Sequence, residues 1–127
     1  MISDWIHDDF RLDGRAFDST EELIEYIDDA YPEGSDLIRS WLSEDGKIEV
    51  KTSGSTGSPK VIVLTREQMR QSAMATGEYF SLKPGSKALL CLPLKYIAGK
   101  MMLVRAMTLG WHLEGVKPTV TLEVPES

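Results

Sequence analysis

The sequence predicts an α/β fold, a layered sheet with helices packed on it, and three observations lead there. Apolar residues recur every second position in some stretches and every third or fourth in others. Helical and strand patterns alternate after residue 60. Capping and turn residues fall between the two kinds of pattern.

Ser19-Thr20-Glu21-Glu22 reads as a capping box. It opens a helix whose Leu23, Ile24 and Ile27 point inward and which ends before Pro32. Ser35 is expected to cap a second helix, with Leu37, Ile38, Trp41 and Leu42 as its apolar stripe and Gly46 just past its end. Lys47-Ile48-Glu49-Val50-Lys51 alternates strictly and predicts a half-buried strand, and the apolar run 61–64 predicts another. Thr65 to Gln68 forms a second capping box, followed by Met69, Ala73, Thr76 and Phe80 on one helical face. Lys83-Pro84-Gly85-Ser86 marks a turn. The unbroken apolar run 88–92 predicts a strand buried on both faces, with Cys91 as a buried structural thiol. Residues 101–109 read as a largely apolar helix stopped by Gly110, and Val120, Leu122 and Val124 alternate as a last strand. The predicted order is helix, helix, strand, loop, strand, helix, strand, helix, strand.

A chain of 127 residues with 42% hydrophobic content suits one small domain with a core. The formal charge of −6 hides an asymmetry. Residues 1–46 carry 14 acids against 3 bases, whereas residues 47–127 carry 6 acids against 11 bases. The positive part suits a small anionic ligand, and the first part reads as a solvated acidic face that includes Asp8-Asp9, Glu21-Glu22 and Asp28-Asp29. No basic-aromatic array points to nucleic acid. A single cysteine excludes an internal disulfide and implies a reducing compartment, by default the cytoplasm. The first ten residues are acidic and lack the apolar core of a secretory signal. The stretch 96–111 is interrupted by Lys100 and Arg105 and is too short to span a bilayer, so no membrane role is expected. His7 and His112 share no ligand spacing with the cysteine, so no metal site is assigned.

The stretch with the most chemistry is Thr52-Ser53-Gly54-Ser55-Thr56-Gly57-Ser58-Pro59-Lys60. Glycines let a backbone approach a bulky anion, hydroxyls and free N–H groups donate to phosphate oxygens, and the lysine adds a flexible point charge. A flexible Ser/Gly linker is the plain alternative. The kinase and GTPase loop requires a glycine five places after Gly54, where Pro59 stands, and a helix after the lysine, where a strand is expected.

Residues 53–60 resemble the phosphate-binding signature of the AMP-forming adenylating enzymes, the superfamily of acyl-CoA synthetases, luciferases and peptide-synthetase adenylation domains. Leu92-Pro93-Leu94-Lys95-Tyr96-Ile97-Ala98-Gly99 resembles the second landmark of that superfamily, where a strand ends at Leu-Pro and a helix opens near a glycine. Many members have an aromatic-His pair where this chain has Lys95-Tyr96. Tyr96 is read either as an aromatic wall of an acyl pocket, with Gly99 beside it, or as an ordinary residue at a helix start. The resemblance spans roughly residues 45–115. Within it, the short lead-in before the loop and the segment 92–107 look most like 2-succinylbenzoate–CoA ligases of menaquinone synthesis.

The resemblance implies the large N-terminal domain of an acyl-CoA synthetase-like fold. Residues 1–46 would be an acidic helical lead-in and residues 47–127 the phosphate-loop region. It implies ATP, Mg²⁺ and coenzyme A as reactants, and a small carboxylate as substrate. The ATP phosphate-binding residues would be Thr52, Ser53, Gly54, Ser55, Thr56, Gly57 and Lys60, with Ser55, Thr56, Gly57 and Lys60 on the β- and γ-phosphates and Ser53 and Gly54 shaping the turn. The superfamily's later motifs and its mobile C-terminal domain are not found in the 127 residues. The expectation is therefore an N-terminal fragment, inactive alone and prone to self-association. A stand-alone anion-binding or scaffold module is the alternative.

Overall fold

Hydroxyl caps begin two of the helices, and they define where the first and third helical segments enter the fold. The computed structural model describes residues 3–51 and 60–115. In chain order these form β1 (Arg11–Leu12), α1 (Thr20–Ala30), a 3-10 turn (Pro32–Gly34), α2 (Ser35–Trp41), β2 (Lys47–Lys51), β3 (Val61–Thr65), α3 (Arg66–Phe80), β4 (Lys87–Leu90), α4 (Ile97–Leu109) and β5 (His112–Gly115). Ser19 Oγ accepts from Glu22 N at 3.2 Å, and the Glu22 carboxylate reaches back to Asp18 N at 2.9 Å. At α3 the box is complete: Thr65 Oγ1 accepts from Gln68 N at 3.1 Å and Gln68 Oε1 accepts from Thr65 N at 2.9 Å. Ser35 does not cap α2. The Pro32 turn has already carried the chain into helical geometry at Gly34, which is the N-cap. Ser35 instead donates its hydroxyl to Asp28, which also takes both arms of Arg39 at 2.8 and 2.6 Å.

The strands form two sheets. β1, β5 and β4 lie side by side and parallel, with β5 in the centre. β4, α4 and β5 thus make one strand-helix-strand crossover. β2 and β3 pair antiparallel, from Lys47 opposite Thr65 to Lys51 opposite Val61. The alternation read from β2 holds: Ile48 and Val50 are buried, and the lysines and Glu49 face out.

The core gathers Leu23 and Ile27 of α1, Leu37, Ile38 and Trp41 of α2, Met69 and Ala73 of α3, and Leu103, Val104 and Met107 of α4. α4 is buried on nearly every side, as expected of a helix apolar all round. It begins at Ile97, four residues before the expected start, and Gly110 ends it at φ 77°. On α3 the buried face runs Met69, Ala73, Gly77 rather than through Phe80. Gly77 lets α4 come close, since a Cβ there would lie 3.0 Å from the methyls of Leu109. Phe80 falls past that contact and stays exposed, edge-on to Tyr79.

Two further expectations are corrected. The strand in 88–92 ends at Leu90, where its pairing with Gly115 ends. It is covered on one face only among the described residues: Leu90 is buried while Leu89 is 58% exposed. Cys91 follows the strand and is exposed, not buried. The predicted strand at 120–124 lies outside the described residues; among the described residues β5 is the central strand of the parallel sheet.

A carboxylate ties β5 to α1. Asp13 Oδ2 accepts from the hydroxyls of Tyr26 and Tyr31, both at 2.6 Å, and Oδ1 accepts from Gly115 N at 2.8 Å. Burial alone would raise the Asp13 pKa, but the bonds from Gly115, Tyr26 and Tyr31 together outweigh it and hold the group below its ordinary value. Burial, and then the facing carboxylate, pushes Tyr26 up to about 12 and raises Tyr31 as well. A lowered carboxylate pKa stabilises the fold above the unfolded value of 3.8 and loses that contribution as pH falls through the folded value. Asp13→Asn keeps a residue that tolerates the left-handed backbone at φ 54°. The expected loss is about 1–3 kcal/mol at neutral pH, with a flatter fall in stability than the parent shows as pH drops below the unfolded value of 3.8. Urea unfolding across pH measures both.

A cation joins the lead-in to the hairpin. Arg66 Nη1 donates to the carbonyls of Trp41 and Ser43, each at 2.7 Å, and its guanidinium lies 3.8 Å from the ring centroid of Trp5. Trp41 Nε1 in turn donates to Trp5 O at 2.9 Å. Arg66→Ala is expected to cost about 3 kcal/mol, from two charge-assisted bonds and one cation–π contact. Arg66→Lys should recover less than half, because an ammonium neither forks nor stacks in this way; chemical denaturation reads the difference.

Candidate functional site

The register of the β2–β3 hairpin places the two ends of the Ser/Gly-rich segment next to each other. Lys51 and Val61 are the last pair of the ladder, so residues 52–60 close a hairpin. Thr52, Ser53, Gly54, Ser55, Thr56 and Gly57 lie outside the described residues. Lys60 is exposed and leads directly into β3, not into a helix. The helix that a kinase-type loop needs is therefore not there. Lys51 and Lys60 stand at the two edges of the hairpin mouth. Beside it, a cavity of about 340 Å³ lies between α2 and the outer face of β2, lined by Asp36, Arg39, Ser40, Lys47, Glu49, Lys51 and Val61.

The second landmark sits where β4 gives way to α4. Leu94 is buried and packs on Gly34, where an added Cβ would lie 3.0 Å from the Leu94 Cδ1 methyl. Tyr96 is the N-cap of α4, half-buried and without a side-chain cap. The Lys95 ammonium lies 5.8 Å from its ring centroid. Gly99 follows one turn later and is buried. A Cβ there would overlap the Pro93 carbonyl and approach the Leu92 carbonyl oxygen to 2.9 Å. The glycine thus lets the first turn of α4 run against the Leu92-Pro93 backbone. Tyr96 and Gly99 are brought together on that turn, and α4 also packs against β2, the strand that leads into the loop.

One residue of this region was not singled out from the sequence. Lys100 is only 6% exposed, and its ammonium donates to the Leu94 carbonyl at 2.6 Å. Burial lowers its pKa, Asp36 and Glu33 pull it back up, and Lys51 lowers it further. The available signal was a lysine inside the apolar stretch 96–111, which reads more simply as a charge that interrupts it. Among the described residues no three His, Cys, Asp or Glu side chains come close enough to hold a metal ion. No helix among them is long and apolar enough to cross a membrane.

Comparison with solved structures gives this geometry a setting. An acyl-CoA synthetase (AMP-forming)/AMP-acid ligase II-like protein from Dyadobacter fermentans matches at 47% identity and a TM-score of 0.63, over 72% of this chain and 26% of that one. The N-terminal domain of FACL13 from Mycobacterium tuberculosis, in an inhibitor-bound structure, matches at 26% identity and a TM-score of 0.48, over 54% of this chain and 17% of that one. The Vibrio cholerae adenylation domain AlmE, in complex with glycyl-adenosine-5'-phosphate, matches at 17% identity and a TM-score of 0.48, over 75% and 21%. The Dyadobacter protein shares both sequence and backbone course with this chain. No protein-family model and no curated protein matches the chain. The mixed α/β fold is shared with that acyl-CoA synthetase (AMP-forming)-like protein. The chain spans about a quarter of the length of the Dyadobacter protein.

Gly99→Ala should force the first turn of α4 away from Pro93. The expected cost is about 1–3 kcal/mol, the usual range for an atom forced into a packed site. Thermal unfolding compared with Ala98→Gly, an exposed change on the same turn, separates this from helix propensity.

Proposed function

We propose that the chain is the N-terminal part of an ATP-dependent, AMP-forming carboxylate–CoA ligase. The observation that carries this reading is the 47% identity to the Dyadobacter protein across most of the chain. The hairpin supports it, because the loop that resembles a phosphate-binding signature is closed by two neighbouring strands with lysines at both edges.

In the proposed reaction a carboxylate oxygen attacks the α-phosphorus of ATP. The bond to the bridging oxygen breaks, pyrophosphate leaves, and an acyl-adenylate remains. The sulfur of coenzyme A then attacks the acyl carbon, AMP leaves, and the thiol proton passes to solvent. The first step places negative charge on the departing pyrophosphate. The N–H groups and hydroxyls of Ser55, Thr56 and Gly57 and the ammonium of Lys60 would hold that charge, and Thr52, Ser53 and Gly54 would shape the approach. No carboxylate stands in the sequence between Lys51 and Lys60, which fits an anionic guest. Mg²⁺ would arrive on the nucleotide's own phosphate oxygens and, when bound, draws charge off the leaving group.

The finer reading is that the carboxylate is 2-succinylbenzoate and the pathway that of menaquinone, with the protein acting in the cytoplasm. The resemblance of residues 92–107 supports it. Tyr96 and Gly99 would border the acyl group on the first turn of α4.

Lys60→Ala in the full-length protein tests the reading. A charge-assisted hydrogen bond contributes about 1.5–3 kcal/mol, so a roughly tenfold to hundredfold loss in kcat/KM for ATP is expected, with the fold intact because Lys60 is exposed. Carboxylate-dependent ATP–pyrophosphate exchange is the measurement. Exchange unchanged by the substitution removes Lys60 from the site, and no exchange in the parent protein with 2-succinylbenzoate or any other carboxylate removes the ligase reading.

A further inference from the structure

A buried lysine in the first turns of a helix is disfavoured twice. Its ammonium loses hydration, and the helix start already carries partial positive charge. Lys100 is the fourth residue of α4, and no acidic residue stands in the first turn. A methionine of similar length would fill the same space, as Met101 and Met102 do beside it. What Lys100 does that methionine cannot is donate to the Leu94 carbonyl at 2.6 Å. That carbonyl belongs to the turn between β4 and α4, whose own tie is weak, a bond from Tyr96 N to Pro93 O at 3.4 Å. Leu94 is therefore held at both ends: its side chain rests on Gly34, and its carbonyl is taken by the ammonium. Charges from the neighbouring elements surround the group: Glu33 of the 3-10 turn, Asp36 of α2 and Lys51 of β2.

We infer that Lys100 is a positioning residue, which sets the place of Lys95 and Tyr96 by holding the Leu94 carbonyl from behind. Tyr96 follows Leu94 by two residues and stands at the N-cap position of α4, so a shift of the Leu94–Lys95 peptide reaches the tyrosine through a single intervening residue. Its consequence for the acyl group rests on the ligase reading, whereas the placement of the tyrosine does not.

Two variants test this, Lys100→Met and Lys100→Arg. The methionine keeps the bulk and removes the donor, and the arginine keeps both charge and donors. In the 127-residue chain, NMR of the Tyr96 ring and the Leu94 carbonyl carbon should show both displaced in K100M and largely restored in K100R, with thermal unfolding confirming that each variant is folded. In the full-length protein, K100M should raise the KM for the carboxylate by about tenfold while kcat and the KM for ATP stay within about twofold, the pattern of lost uniform binding. K100R should return the carboxylate KM toward the parent value. Unmoved Tyr96 and Leu94 signals in a folded K100M overturn the positioning role. Displaced signals with an unchanged carboxylate KM overturn its extension to the substrate. A parent protein without exchange activity overturns the ligase reading instead, and the NMR comparison still decides what Lys100 holds.

Discussion

The guanidinium of Arg66, lying on Trp5 and donating to Trp41 O and Ser43 O, is the contact from which the placement of the hairpin follows. The last carbonyls of α2 have no partner within their own helix. Arg66 supplies one from the far side of the hairpin. It can do so because it is the first residue of α3, directly after the capping Thr65, and because its own N–H donates to Gly46 O at 2.7 Å. Gly46, at φ 58°, turns the chain out of the acidic lead-in and into β2. A short span thus fixes the end of one helix, the base of the ladder and the start of the next helix. The other end of the ladder, at Lys51 and Val61, is where the candidate loop begins and ends.

The division of charge along the sequence is only partly kept in space, because Asp36 of α2 lines the same cavity as Lys47 and Lys51. Asp28, on α1, is held near a pKa of about 2, first by Arg39 and then by Ser35, so part of the acidic excess is neutralised within the lead-in itself. The hairpin keeps Lys47, Lys51 and Lys60 exposed. An anion approaching the hairpin mouth meets Lys51 and Lys60 at its edges, with Asp36 and Glu49 in the cavity beside them.

Elements with a local cause were legible in the sequence. The hydroxyl caps Ser19 and Thr65 are local chemistry, and both helices start where they place them, although only the box at Thr65 and Gln68 is complete. The alternation of β2 is a consequence of one buried face and could be read directly. What could not be read depends on partners distant in sequence. β1 has two residues and exists because β5 pairs with it. Residues 88–92 have the composition of a strand buried on both faces, yet cover is present on one side only among the described residues, which leaves Leu89 and Cys91 exposed. Phe80 has the right spacing for the core, but α3 meets α4 at Gly77, and the contact ends before the phenylalanine. At the candidate site, the strand context of the loop was legible, as was the glycine near the second landmark. The buried ammonium of Lys100 was not, because sequence spacing alone does not distinguish a lysine that reaches a carbonyl from one that reaches water.

The strand order β1-β5-β4 has a consequence for how this chain comes to be folded. Both β1 and β4 pair with β5, and among the described residues they pair with no other strand. The bond from Gly115 N to Asp13 closes a separation of 102 residues. During synthesis, β1, both lead-in helices and the hairpin are made before β5, the strand with which β1 pairs. Ladders of this kind lose their loop-closure entropy before their contacts form, and are slow to assemble. Over that interval the growing chain holds an open β1 and an unpaired β4, with the hairpin and the capped helices as the parts that can form from local contacts. Among the described residues, the centre of the parallel sheet is thus the last of its strands to be made.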